Sequence, residues 1–281
     1  MAYYHYCSTE TFRQIITNKS VWLSSLKSSN DSMEGKWTAS VIRLVAEDLR
    51  VPEADLEEFS MLVNSVEDIF DCLGFCMSGD KDMLSQWRGY ADDGRGVSIG
   101  FSESFLAAVV EQPRTVRLHH VVYDLAKQKE IVTETVAEAK KLIEAGALRK
   151  PSKGTALTPK TAEEFAEAVR QWRLLDNELF YQLTLLEKSW FSLKNPAFKE
   201  ENEVRLSRTF WQPEPTDYRT FNGRLVPYSI IQFPEMSDGQ PIIEQVTLGP
   251  KNTTPVHVVN SFLRSCGFHD VPVEPSRASY R

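Results

Sequence analysis

The order of apolar and polar residues predicts alternating strands and helices at the start of the chain. The segment YYHYC alternates large side chains like a strand, and Ser8 or Thr9 then provides a helix N-cap. A second strand is expected over 21–26. Helical spacing on both sides of Pro52 predicts two amphipathic helices, because proline disfavours helix in the residue before it and is tolerated in a first turn.

The remaining pattern places helical sequence in the middle of the chain and strands on both sides of it. Further strands are expected at CLGFCMS, VSIGF, RLHHVVYD, EVRLSRTF, GRLVPYSII and IIEQVTLG. Thr161 and Glu164 form a capping box in the helical middle, and Thr254-Pro255 is expected to cap a late helix that runs to Gly267. This order favours an α+β fold with a mixed, largely antiparallel sheet. We interpret residues 1–281 as a single domain with a helical insertion at about 125–193.

Composition and charge narrow the functional classes. The 281 residues are 42% hydrophobic and carry a formal net charge of -7, which excludes disorder and gives no general affinity for nucleic acid. The chain has no apolar run of about 18 residues, so no membrane association is expected. Its four cysteines form no CxxC pair, so we expect a cytoplasmic protein with reduced thiols and no bound metal.

The first candidate site is the polar segment SLKSSNDSMEG, which contains Ser25, Asn30, Asp31 and Glu34. Asn30 or Asp31 followed by Glu34 is typical of a helix cap, so capping alone explains the pattern. A helix N-terminus with serine and asparagine side chains also offers hydrogen-bond donors to a phosphate. Both interpretations stay open.

The second candidate is LSQWRGYADDGRGVSIGF, the densest polar and aromatic signal in the chain. Trp87 and Tyr90 offer flat faces for a nucleotide base, and Arg88 between them offers a guanidinium for phosphate. The structural alternative is that Trp87 and Tyr90, three positions apart on a helix, pack into the core while Arg88 faces solvent.

The third candidate is FKEENEVRLS. Strand alternation would put Glu201, Glu203 and Arg205 on one face, either as a solvated edge or as a catalytic carboxylate beside an orienting arginine. The fourth is His5 in the first strand, on the face opposite Tyr6. A lone half-buried histidine is more often structural than catalytic.

These motifs resemble a known family. The order YHY, WLSSL, ND.MEG, LSQWRGYADDGRGVSIGF, FKEENEVRL and a final S..SYR is similar to the bacterial domain-of-unknown-function family 2971. The resemblance extends from Tyr4 to Arg281. Because that family has no established biochemical role, it implies no mechanism.

A second resemblance bears on function. The strand with His5 and Tyr6, the short helix after it and the following polar turn and strand resemble the start of ADP-ribosyltransferase-like domains. This resemblance implies that His5 holds the ribose of NAD and that an aromatic residue, Trp87 or Tyr90, stacks on nicotinamide. It also implies that a later strand glutamate stabilises the ribosyl cation.

Glu203 is the matching glutamate, with Glu201 as the alternative. The implied activity is an NAD-using transferase or NAD glycohydrolase, in a bacterial toxin or phage-defence setting, with an unspecified acceptor. The first alternative is a non-catalytic module that senses a nucleotide or binds a partner. The second is a metal-dependent phosphoesterase that uses Asp31 and Glu34 with the two later glutamates.

Overall fold

The computed structural model describes residues 2–28, 35–111, 116–154, 160–211, 217–221, 223–236 and 240–280. The strands are β1 (Ala2–Cys7), β2 (Ser20–Ser25), β3 (Phe70–Ser78), β4 (Val97–Ser102), β5 (Arg117–His120), β6 (Glu203–Trp211), β7 (Asp217–Phe221), β8 (Arg224–Gln232), β9 (Ile243–Leu248) and β10 (Val273–Pro275). The α-helices are α1 (Thr9–Asn18), α2 (Lys36–Asp48), α3 (Glu53–Ile69), α4 (Leu84–Tyr90), α5 (Glu103–Val110), α6 (Leu125–Glu144), α7 (Ala162–Thr184) and α8 (Val256–Ser265).

The strands form one ten-stranded sheet whose main path runs β10-β9-β4-β1-β3-β2-β8-β7, with β6 on β3 and β5 on β6. All described pairings are antiparallel except β9 with β10. The predicted α+β fold with a largely antiparallel sheet is therefore confirmed.

The two edges of β3 have different partners. One edge pairs with β6 over the whole of Phe70–Ser78. Because a strand has two edges, β1 and β2 must share the remaining one. β1 meets it at Ser78, and β2 meets it at Leu73 and Gly74. The segment 75–77 lies in the gap between these two contacts, and this gap positions the candidate site.

Two apolar cores cover the two faces of the sheet. The first contains Leu73 and Phe75 of β3 together with residues of α1, α5 and α8. The second contains Phe70 and Cys72 of β3 together with residues of α2, α3, α6 and α7. This alternation along β3 is the period-two pattern of a strand buried on both faces.

Most predicted elements are confirmed, including the Ser8 cap of α1 and the capping box of α7. The strand predicted for RLHHVVYD ends at His120, because Val122 leaves β6 and bridges to Leu193. Of the predicted Thr254-Pro255 cap of α8, Pro255 takes the N-cap position, without a side-chain hydrogen bond, and the helix ends at Ser265.

The helices of 125–193 are α6 and α7, followed by the 3₁₀ helix Leu185–Lys188. The interpretation of this stretch as an insertion in a single domain stays a prediction. Within the described ranges, no helix combines the length and apolar character needed to cross a bilayer.

Candidate functional site

A cavity of about 90 Å³ opens at the gap along β3. Its walls come from β1, β3, β6, α4 and the segment before β6. The lining residues are Tyr4, His5, Tyr6, Leu26, Cys76, Met77, Gln86, Tyr90, Lys194, Glu201, Glu203 and Arg205. The structure thus brings His5, Tyr6, Tyr90, Glu201, Glu203 and Arg205 of the sequence candidates to one place.

His5 is held in the gap by the backbone of β3. Its Nδ1 lies 2.8 Å from the Cys76 carbonyl oxygen, and its ring stacks on Phe75 with centroids 4.1 Å apart. A carbonyl only accepts, so Nδ1 carries the hydrogen and Nε2 is an acceptor. Desolvation lowers the pKa of His5 to about 4 against the weaker opposing effect of the Cys76 carbonyl. The imidazole is therefore neutral at pH 7.

Glu203 is fixed by a two-point ion pair with Arg205. Arg205 Nε donates to one carboxylate oxygen at 2.7 Å and Nη2 to the other at 2.8 Å, and both side chains are buried. Burial alone would raise the pKa of Glu203, but the Arg205 charge and hydrogen bonds outweigh burial and lower it to about 2. Glu203 is ionised at neutral pH.

Lys194 joins the two glutamates, and no sequence motif predicted its place in the site. Its Nζ donates to Glu201 Oε2 at 2.5 Å and to Glu203 Oε2 at 3.1 Å. Burial lowers its pKa, but the Glu203 and Glu201 carboxylates have the larger combined effect and raise it. We call Lys194, Glu201, Glu203 and Arg205 the cavity cluster. The positive charges of Lys194 and Arg205 equal in number the negative charges of Glu201 and Glu203, so the cluster has no net charge.

Glu201 reaches the cavity by a route that strand alternation does not predict. It ends the 3₁₀ helix Pro196–Glu201 and does not belong to β6, so its expected place on a strand face is wrong. Asn202 turns the chain with a φ of 45°, which redirects Glu201 towards Glu203. Gly79 packs against this turn: its backbone N–H donates to the Asn202 carbonyl oxygen at 2.9 Å, and a Cβ there would contact the Asn202 side-chain Nδ2.

Tyr90 lies between the cavity cluster and solvent. It ends α4, the residue is 41% exposed, and its hydroxyl donates to Glu201 Oε1 at 3.0 Å. Partial burial and the Glu201 charge raise the pKa of Tyr90, so the hydroxyl is a proton donor at neutral pH. Tyr6 also lines the cavity, but its hydroxyl is used by the backbone, donating to Asp80 and accepting from Met83.

Trp87 and Arg88 do not line the cavity. Trp87 is fully buried, packs edge-on against Tyr6 and donates its indole N–H to Asp82 at 2.7 Å. Arg88 points elsewhere, with its guanidinium 5.8 Å from the Tyr280 ring centroid. Neighbouring positions on one short helix project in different directions, so the structure does not gather Trp87, Arg88 and Tyr90 around one ligand.

A larger cavity of about 360 Å³ adjoins the first and shares His5, Leu26, Cys76 and Tyr90 with it. Its other lining residues are Thr11, Gln14, Ile15, Asn18, Ser20, Trp22, Ser24, Ser25, Ser28, Gly74, Phe75, Arg219 and Val226. Ser25 also donates to buried Asp71 at 3.1 Å. Of the first sequence candidate, Asn30, Asp31 and Glu34 lie outside the described residues.

The described part of the chain contains no group of three His, Cys, Asp or Glu side chains that could hold a metal ion. Both cavity carboxylates bind cationic side chains, which take the positions a divalent ion would need. At this site, His5 can accept a hydrogen bond from a hydroxyl group, and the Tyr90 hydroxyl can donate one. The two carboxylates can place negative charge beside a positive charge that develops on a bound molecule.

The comparison with protein families identifies one match, which covers residues 86–206. The matched family is described as Protein of unknown function (DUF2971). This segment is similar to that family. It includes Tyr90 and the whole cavity cluster, so the predicted family resemblance is confirmed over the part of the chain that supplies most of the site's charge. No curated protein and no solved structure matches the chain.

Proposed function

We propose that the protein is an NAD-using ADP-ribosyltransferase-like transferase or glycohydrolase. The observation that carries the proposal is the meeting of His5, Tyr90 and two buried glutamates at one cavity, from segments far apart in sequence. These are the chemical types that cleavage of the bond between ribose and nicotinamide requires.

The reaction breaks the C–N bond, and its electron pair leaves with nicotinamide as a neutral ring. Positive charge develops on the ribose, so a carboxylate near the anomeric carbon lowers the barrier. Water or another acceptor then bonds to that carbon and loses a proton. We assign the carboxylate role to Glu201, because the partner of its Oε1 is the Tyr90 hydroxyl, a neutral group that a ligand can displace, whereas both oxygens of Glu203 are engaged by the Arg205 guanidinium. Glu203 is then a positioning residue.

His5 suits the ribose. Because Nδ1 donates to Cys76, Nε2 can accept a hydrogen bond from a sugar hydroxyl without a proton change at neutral pH. The Tyr90 hydroxyl would leave Glu201 for the ligand, exposing the carboxylate to the reacting carbon.

Cavity size also supports a dinucleotide. The smaller cavity holds only a fragment, but together with the adjoining 360 Å³ it falls within the roughly 300–1,000 Å³ of ligand sites. The proposal includes a cytoplasmic location, which the four free cysteines support, and a bacterial toxin or defence role.

The test is nicotinamide release from NAD by purified protein, measured by chromatography. We expect Glu201→Gln to lower the rate by about a hundredfold at a temperature where the variant stays folded, and also to lower the melting temperature, because it removes one of the two anions that balance Lys194 and Arg205. Glu203→Gln should lower both rate and stability, because it leaves buried cations in excess. Glu200→Gln, an exposed neighbour, is the matched control. Failure of the wild-type protein to bind or consume NAD would overturn the proposal.

A second candidate is a non-catalytic nucleotide sensor or partner-binding module. The full pairing of the cavity cluster favours it, because a paired carboxylate is less available for chemistry. A thermal-shift panel of nucleotides separates the two. A ligand at a hundred times its Kd stabilises the fold by about 2.7 kcal/mol, and stabilisation without product on long incubation would support the sensor.

A further inference from the structure

Residues 276–280, which we call the strap, bind at the N-terminal side of α4. Ser276 Oγ donates to Asp82 Oδ1 at 2.5 Å, and the Arg277 backbone N–H donates to Asp82 Oδ2 at 2.7 Å. Asp82 also accepts from the Trp87 indole within α4. Burial raises the pKa of Asp82, but the hydrogen bonds from Ser276, Trp87 and Arg277 prevail and lower it. One carboxylate thus ties the strap to the helix.

The strap also binds just beyond the C-terminal side of α4. The Tyr280 hydroxyl donates to Asp93 Oδ1 at 2.6 Å, and Lys251 Nζ donates to Asp93 Oδ2 at 2.9 Å. The Tyr280 ring lies below two cations, Lys251 at 3.8 Å and Arg88 at 5.8 Å from its centroid. Both flanks of the helix are therefore held by the same five residues.

α4 has seven residues, too few to be stable without tertiary contacts. Its middle is held by Trp87 against Tyr6, and Ala278 of the strap packs against the same cluster. α4 also supplies Gln86 and Tyr90 to the cavity. The orientation of Tyr90 therefore depends on contacts that lie outside the cavity.

We propose that the strap positions α4 so that the Tyr90 hydroxyl is held at the cavity, where it donates to Glu201 in the free protein and to the ligand in the proposed reaction. Ser276 and Tyr280 are positioning residues, and they act through Asp82 and Asp93. The effect of the strap on the structural order of α4 does not depend on a ligand. Its effect on catalysis rests on the proposed function.

Hydrogen exchange on the full chain tests the structural half. The variants Ser276→Ala and Tyr280→Phe each delete one hydroxyl and keep the rest of the side chain. We expect faster amide exchange over 84–94 in both, with no change in α8. Ser279→Ala is the control, because Ser279 is an exposed serine within the strap. Wild-type exchange over 84–94 in both variants would overturn the proposal.

A double-mutant cycle on nicotinamide release tests the catalytic half. We expect Tyr280→Phe to slow release by about two- to tenfold, the effect of one hydrogen bond, and to have no further effect in a Tyr90→Phe background. Equal losses in both backgrounds would show that the strap does not act through Tyr90. If the wild-type protein releases no nicotinamide, the proposed function fails, and the exchange measurement alone decides the role of the strap.

Discussion

Two groups of carboxylates make contacts near α4 and differ in their exposure to water. In the cavity cluster, the side chains of Glu203 and Arg205 are 8% and 1% exposed. In the strap contacts, the side chain of Asp93 is 44% exposed and its partner Lys251 is 22% exposed. Both groups form ion pairs of similar length, 2.7 Å and 2.9 Å, so distance alone does not distinguish them.

The difference in burial decides what each group can do. A buried ion pair fixes geometry, because breaking it leaves a charge that water cannot reach. An exposed pair contributes little free energy and is screened by salt. The cavity cluster is therefore suited to hold reacting groups in place, whereas the strap contacts can be altered without unfolding the chain.

The largest expected effect is that of Arg205→Met. It leaves Glu203 buried beside Lys194 alone and removes the hydrogen bond to the Phe191 carbonyl. We expect the free energy of unfolding to fall by about 3–5 kcal/mol, measured by urea denaturation. Arg264→Met, at an exposed position in the last turn of α8, should change it by about 0.5 kcal/mol or less. Similar losses in the two variants would contradict the comparison.

Charge balance can be tested at Lys194. Lys194→Met leaves two buried carboxylates close together, so we expect a loss of stability second only to that of Arg205→Met. Adding Glu201→Gln restores the balance of one anion and one cation. The double variant should therefore be more stable than Lys194→Met alone in the same denaturation experiment. An additive loss would mean that the cluster is not electrostatically coupled.

A pH titration tests the neutral state of His5. In the unfolded chain, the His5 imidazole binds a proton below about pH 6.5. In the folded protein, desolvation lowers its pKa to about 4, so it stays neutral down to about that pH. Between these values the unfolded state holds more protons, so stability should fall as pH falls. His5→Asn keeps a donor for Cys76 and should reduce this slope. An unchanged slope in His5→Asn would contradict the neutral, desolvated state of this imidazole.

The smallest expected effect is that of Asp93→Asn at the strap. The amide can still accept from Tyr280 but loses the charge that attracts Lys251. We expect a melting temperature shift smaller than in any cavity cluster variant, and one that shrinks further in high salt. A shift as large as that of Lys194→Met would remove the distinction between the two regions.

The sequence predicted the fold better than the site. Helix and strand positions follow from local periodicity and caps, as at Ser8 and Thr161, and the structure confirms them. β7 and β10 were missed. β10 has only three residues and pairs with β9 alone, so local pattern gives it little signal.

Which residues form the site depends on which distant segments come together in the fold. The local sequence pattern does not contain this information. Glu201 and Glu203 were candidates for a shared strand face, yet they converge through the left-handed turn at Asn202. Lys194 had no motif, although two carboxylates beside one arginine imply a missing cation if they are buried together. Trp87 and Arg88 formed the densest motif, and they hold the strap and the fold around α4.

The gap along β3 has a mechanical consequence. β1 and β2 touch this edge at separate points, while the ladder between β3 and β6 runs unbroken on the other side. Bending the sheet about β3 would widen the gap without breaking that ladder. Such bending of the strands would enlarge the space available to an incoming molecule. The hydrogen bond from His5 to the Cys76 carbonyl, which spans the gap, would lengthen first.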